Sequence, residues 1–546
     1  MLEKKDGILD LVAMGRKTLK MVHRNLPTAV LYERIVRNRE GQISHQGPIV
    51  VRTGDFMELP LSDKFVVRQE ADSRVPEGQQ EMSAGQFSNL VYRLSAYLQN
   101  KDIYVHYSYA GRDPDCQVPV RIVTETAWHS LFARNMFMPI HGVEDYSQME
   151  ADFSVMHIPG FHAVPDMDGT RSSAAVIFNM EQKIIFICGT SFAGEIRQAV
   201  FTFLNYLLPP ESVFPMRCAV NVGPGGDPAI FIGRSGTGKT TLSVDPERRL
   251  MGDHFHGWTS KGLFNFERGA YASLPGISGE DEPEISAAAR KFGTILENVS
   301  IDMETRQVDP EDKSLTENTR AIYPLTHIPN ASEEGICAHP RHLFLLTCDG
   351  LGVMPAIARM TPELAVYAFM SGYTSRFASA ESGTAMSDIG FNTCFGASSL
   401  LLPAHVYGNR LLEKIRKHEV TCWLMNTGWI GEPAGRTERI RIPVSRELIR
   451  AAVSGKLDTV EYETDPVFGF DIPLTCPGVP HELLNPRNMA EDKGEYEVRA
   501  NCLAREFIKD FRQFEDQMPE NMRTMMAEVF SPDDSFDLLG DIGFSM

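Results

Sequence analysis

Two short stretches of the chain carry residue types able to do chemistry. The first, FIGRSGTGKTTLS at 231–243, fits G-x-x-x-x-G-K-[ST] from Gly233 to Thr240 without a mismatch. Glycines at this spacing let backbone N–H groups turn inward around phosphate oxygens, and a following helix would add the positive end of its dipole. Lys239 would neutralise the outer phosphates and the Thr240 hydroxyl would hold Mg²⁺. Ser235, Gly236, Thr237, Gly238 and Thr241 complete the cradle. The second stretch, LMGDHFHGW at 250–258, places Asp253 after an apolar run, where a metal shell needs an acidic residue. His254 and His256 flank it as an H-x-H pair, a spacing that can ligate a transition metal or simply be structural. Together these residues predict a nucleoside triphosphate site, with ATP and Mg²⁺ as its occupants.

The elements around the loop fit that use. CAVNV and PAIFI flank a Gly-Pro-Gly-Gly turn, which predicts a hairpin whose second strand feeds the glycine loop. Further strands are predicted at PIVVRT (48–53), KFVV (64–67) and KIIFIC (183–188), and helices at FSNLVYRLSAYL (87–98) and from Glu195 onward. Residues 1 to about 30 have apolar positions near helical spacing and read as a helix. The Met-rich, acidic stretch beyond 515 reads as a short helix followed by a tail.

The bulk properties set the outer limits. At 546 residues the chain exceeds one ordinary core. A formal net charge of -19 argues against a nucleic-acid partner, because phosphate backbones select basic surfaces. No apolar run approaches membrane-spanning length, and the N-terminal residues lack a signal-peptide core. Nine scattered cysteines without C-x-x-C spacing suit reduced thiols, so a cytoplasmic location is expected.

Beyond the loop, the stretches LPTAVLYE, VRIVTETAWHSLFARNMF, GTSFAGEI, HGWTSKGLFNFE, TENTRAIYP, LTCDGLGVMP, MNTGW and CPGVPHELLNPRN closely resemble the ATP-dependent phosphoenolpyruvate carboxykinase family, in that family's order. The resemblance implies an α/β, two-lobed fold. Its N-terminal α/β domain would be 1–211, the P-loop domain 212–515 and the tail 516–546. It also implies nucleotide contacts at Glu297, Arg320, Arg439, Ile440 and Ser445, with Asp253 as the family's first acidic residue after the loop.

On the substrate side the chain departs from the pattern. Where the family has an arginine in Gly-Arg-Ser-Pro-Lys-Asp-Lys, this chain reads MELPLSDK with Leu59 at that position, and the family tyrosine is Phe192. The family's Mn²⁺ ligands, a lysine, a histidine and an aspartate, correspond to Gln198, Arg217 and His254. Leucine cannot supply a bidentate fork for a carboxylate, and arginine has no free lone pair for a metal. These changes favour an ATP-dependent phosphotransferase that delivers the γ-phosphate to a hydroxyl-bearing small molecule (a polyol, a sugar or a phosphate of either), with the Mn²⁺ site lost. Lys239, Asp253, His254 and Arg320 would then be its catalytic groups, and Arg197, Arg217 and Arg234 would line the acceptor side. Two other readings stay open: an ATP-binding regulatory protein without turnover, and a genuine carboxykinase converting oxaloacetate and ATP to phosphoenolpyruvate, ADP and CO₂. The sequence leaves the oligomeric state open.

Overall fold

The computed structural model describes residues 19–54, 57–68, 80–140, 142–143, 146, 149–274, 283–377, 387–520 and 523–524. They form a mixed α/β fold built on three main sheets. The first sheet is made from residues 21–188, with the parallel neighbours Val118–Thr124, Phe153–Ile158 and Ile184–Cys188 at its centre. These strands are buried on both faces and are correspondingly rich in Val, Ile and Phe.

The second sheet carries the phosphate loop. The predicted hairpin is present: Phe214–Val222 pairs antiparallel with Pro228–Gly233 across the Gly-Pro-Gly-Gly turn. Pro228–Gly233 then runs parallel to His342–Thr347, which runs parallel to Thr421–Asn426. In such sheets ligands bind beyond the carboxyl ends of the strands. The third sheet joins distant parts of the chain, since Ile49–Val51 pairs with Ile295–Glu297, and Arg320–Pro324 lies between Ile295–Glu297 and Gly269–Ser273. One continuous hydrophobic core runs between the sheets and includes Phe192, Phe231, Phe255 and Tyr271.

The expected helix over residues 1–30 is corrected where it is described. Met21–Arg24 is a strand, parallel to Asp102–Val105, and the helix is Thr28–Arg37. Pro27 sits at the N-cap with extended backbone; proline fixes φ and disfavours helix in the residue before it, so the helix starts only after it. Residues 1–18 and 525–546, and with them most of the predicted tail, lie outside the described residues.

Helix Gly194–Leu207 begins where predicted and carries Glu195, Arg197 and Gln198, all buried, in its first turns. One Glu195 carboxylate oxygen accepts the Leu59 N–H, and Lys64 Nζ lies 3.5 Å from the other. This ties the 57–64 segment to the helix. Burial pushes the Glu195 carboxyl up to about 7, opposed by Lys64. The folded protein therefore keeps a proton that the unfolded chain releases above 4.5, and stability falls as pH rises between those values, by up to about 3 kcal/mol. Glu195→Gln retains an acceptor for Leu59 but cannot titrate. Its stability to urea, relative to the parent, should improve from about pH 5 to about pH 8; a difference independent of pH would refute the shift.

Candidate functional site

The phosphate loop leaves the carboxyl end of Pro228–Gly233, and its backbone explains its glycines. Gly236 and Gly238 adopt φ of 84° and 91°, left-handed values that strain any other residue. A Cβ on Gly233 would lie 2.5 Å from Thr237 Oγ1 and 2.8 Å from the Leu346 carbonyl. The loop is braced from the neighbouring strand end: the Thr427 hydroxyl donates to the Thr237 carbonyl at 3.0 Å, and Arg439 Nη2 donates to that of Gly236 at 2.9 Å. Lys239 Nζ donates to the Arg234 carbonyl at 2.8 Å. The helix that follows, Lys239–Ser243, is only five residues long. The dipole contribution expected from the sequence is thus small, and the loop's own N–H groups and Lys239 must do most of the phosphate binding.

A cleft of about 440 Å³ lies over the loop. Of the predicted residues, Ser235, Gly236, Gly238, Lys239, Thr240 and Thr241 line it from below. His254 and Arg320 stand at its walls, as do Arg439, Ile440 and Ser445. Gly233 and Thr237 are packed beneath the loop, and Glu297 is buried behind Tyr271, whose hydroxyl donates to it at 2.6 Å. Leu59, Phe192, Arg197, Gln198 and Arg217 do not line this cleft. Leu59, Phe192, Arg197 and Gln198 are buried, and Arg217 is half-buried.

Sequence reasoning missed Tyr271, Ser273 and Ile285, which line the cleft, and Glu267, which shapes it. The third sheet brings Tyr271 and Ser273 in, with Ser273 opposite Arg320 in the strand register. Thr427 was within reach, since it sits in the MNTGW stretch.

The metal-binding expectations divide. The Thr240 hydroxyl donates to Asp253 Oδ2 at 3.2 Å, so hydroxyl and carboxylate already stand together as the pair that a nucleotide-borne Mg²⁺ needs. The H-x-H pair does not converge. His256 is fully buried and donates from Nδ1 to the Cys218 carbonyl at 2.8 Å, while His254 lies 3.6 Å from Asp253 Oδ1 and its Nδ1 has no hydrogen-bond partner. Gln198 Nε2 donates to the Ser399 hydroxyl. Among the described residues no group of three or more His, Cys, Asp or Glu could hold a metal ion.

Charge dominates what remains. Arg197, expected as a free cation on the acceptor side, is paired bidentately with Glu267 at 2.8 and 2.7 Å and stacks on Phe255 and Tyr271. Burial, and then Arg197, Arg217, Lys239 and Arg320, hold the His254 imidazole well below its ordinary range, so it is neutral. Burial and the Arg217 charge push the Lys239 ammonium down to about 7. A buried set of cations of this kind favours a polyanion such as a triphosphate.

The phosphoenolpyruvate carboxykinase family model matches residues 20–482. The chain belongs to the ATP-dependent phosphoenolpyruvate carboxykinase family. It is 48% identical to the phosphoenolpyruvate carboxykinase (ATP) of Pelobacter propionicus over 505 residues, covering 92% of this chain and 95% of that protein. The corresponding protein of Geobacter metallireducens is 46% identical over 94% of this chain and 97% of its own length, and that of Thermus thermophilus is 46% identical over 92% and 96%. The chain is an enzyme of the carboxykinase superfamily.

These relatives overturn the expectation of a hydroxyl-bearing acceptor, and equally that of a regulatory protein without turnover, because they match almost end to end and carry the carboxykinase name. They lend no support to a lost Mn²⁺ site either; the family is one of ATP and divalent-metal use. No helix among the described residues is long and apolar enough to cross a membrane.

Lys239→Met separates binding from stability. Methionine keeps the bulk and removes a desolvated charge, so the melting temperature should rise by a few degrees while ATP-dependent turnover falls at least ~10³-fold. Turnover within tenfold of the parent would remove Lys239 from the site.

Proposed function

We propose that the chain catalyses the ATP-dependent carboxykinase reaction, converting oxaloacetate and ATP to phosphoenolpyruvate, ADP and CO₂. The observation that carries this reading is identity of 46–48% with carboxykinases over more than nine-tenths of the chain, together with a complete phosphate loop over a cationic cleft. In this reaction the bond to the departing carboxylate breaks and its electron pair becomes an enolate. The enolate oxygen attacks the γ-phosphorus, and the bond from that phosphorus to the ADP oxygen breaks. No proton needs to move. That frees the protein from supplying a base, in keeping with the neutral, buried His254.

What the protein contributes is position and charge. The loop N–H groups and Lys239 hold the triphosphate, and Arg320 and Arg439 close its flanks. Thr240 and Asp253 would hold a Mg²⁺ arriving with the nucleotide, which would neutralise phosphate charge. A second ion held by protein ligands does not fit these residues: Arg217 offers no lone pair, and the cations around His254 would repel it. We therefore place no step on such an ion. Neither Leu59 nor Phe192 offers a side-chain donor for a carboxylate, so attraction of the substrate's carboxylates falls to the cations of the cleft. Nine unbonded cysteines support a reducing, cytoplasmic setting as part of the same proposal.

The test is ³¹P NMR of purified protein with Mg·ATP and oxaloacetate. A phosphoenolpyruvate resonance should grow as the γ-phosphate resonance declines, one for one, and faster than in Lys239→Met. ATP loss without phosphoenolpyruvate, or a rate equal to that variant's, would overturn the assignment.

A further inference from the structure

Arg217 sits where one strand changes partners. Residues 214–217 pair with Phe255–Trp258, and Cys218 onward pairs with Pro228–Ile232. Arg217 is opposite Phe255 in the register, behind the cleft lining, and its charge acts on both His254 and Lys239, which do line it. Its Nε is sealed from solvent and has no hydrogen-bond partner among the described residues.

Its surroundings contrast with those of Arg197, which Glu267 satisfies with two hydrogen bonds. The charges acting on Arg217 include Arg197, Arg234, Arg320 and Lys239, all of like sign, and the carboxylates Glu58 and Glu267, of which Glu267 is already taken up by Arg197. Glu58 is already paired with Lys64 at 2.6 Å and is partly in solvent. A half-buried guanidinium whose Nε is sealed and whose nearest carboxylates are already paired is costly, and it is most stable when a ligand supplies the anion. Arg217 also acts electrostatically on Lys239, the residue of the loop that faces the outer phosphates. A guanidinium is planar and forked, matches phosphate oxygens with two parallel N–H bonds, and stays charged when buried.

We propose that Arg217 holds the terminal phosphate of the bound nucleotide and supplies the fixed positive charge that the transferring phosphoryl group needs. It remains protonated throughout and exchanges no atom; it stabilises charge on the γ-phosphoryl oxygens as the bond to ADP breaks. This assignment deepens the carboxykinase reading, and it depends on that reading only for the identity of the acceptor.

The test is the ratio of ATP to ADP affinity, measured by titration calorimetry with Mg²⁺ and no acceptor. In Arg217→Ala, ATP binding should weaken about 30-fold or more while ADP binding changes less than about threefold, since only ATP presents the terminal phosphate. Retained ADP binding also reports that the variant is folded. Arg217→Lys keeps the charge and most of the bulk, and should lose only part of the ratio. Equal losses for both nucleotides, or an ATP affinity untouched in both variants, would overturn the assignment. A parent protein that shows the ratio but forms no phosphoenolpyruvate would refute the reaction while supporting the role of Arg217.

Discussion

The cleft depends on the concentration of positive charge that the fold forces between two sheets. Arg197, Arg217, Lys239 and Arg320 all act on the same imidazole, His254, and the buried carboxylates among them are Asp253, Glu267 and, opposite Arg320, Glu297. Glu267 is taken up by Arg197, and Asp253 accepts from Thr240. Among the described residues Arg217, Lys239 and Arg320 make no ion pair of their own, and Arg197 alone of the four does. In a low-dielectric site such charge lowers local proton affinity, as at Lys239, and draws in anions.

This charge explains why several elements are built as they are. The strand ends at Gly233, Thr347 and Asn426 lie side by side, so that Thr427 beyond them can brace the loop through the Thr237 carbonyl. The third sheet brings Arg320 and Tyr271 across from the loop, and Tyr271 spreads its ring beneath two guanidinium groups. Glu297, pushed up to about 7 by burial, accepts from the Tyr271 hydroxyl and fixes that ring. Arg197 is thus held by its bidentate pair with Glu267 and by two aromatic faces, and Arg320 by the Tyr271 ring and a hydrogen bond to Asn318.

Much of the loop side was legible in the sequence because its chemistry is contiguous. The cradle, its feeding strand and Asp253 all fall within a few dozen residues, and the structure brings them together as expected. The opposite wall was not legible. Tyr271 and Ser273 reach the cleft through a sheet that pairs residues near 50 with residues near 296, and no local periodicity encodes such a pairing; Arg320, on the same sheet, was expected only through the family resemblance. Partnership was equally hidden: Arg197 looked like a free cation because Glu267 lies 70 positions away. The changed residues at Leu59, Phe192, Gln198, Arg217 and His254 suggested a different acceptor when read one at a time. The whole-chain comparison favours the carboxykinase reading, and the geometry gives a physical reason to accept it, since a guanidinium can bear phosphate charge as a metal can.

If the uncompensated cations organise the cleft, stabilisation by nucleotides must follow the number of phosphates. The melting temperature, measured against AMP, ADP, a non-hydrolysable ATP analogue and inorganic tripolyphosphate at fixed Mg²⁺, tests this most directly. The account predicts negligible stabilisation by AMP, an intermediate rise with ADP, the largest with the ATP analogue, and a clear rise with tripolyphosphate alone. Stabilisation by AMP equal to that by the ATP analogue, with none from tripolyphosphate, would contradict it.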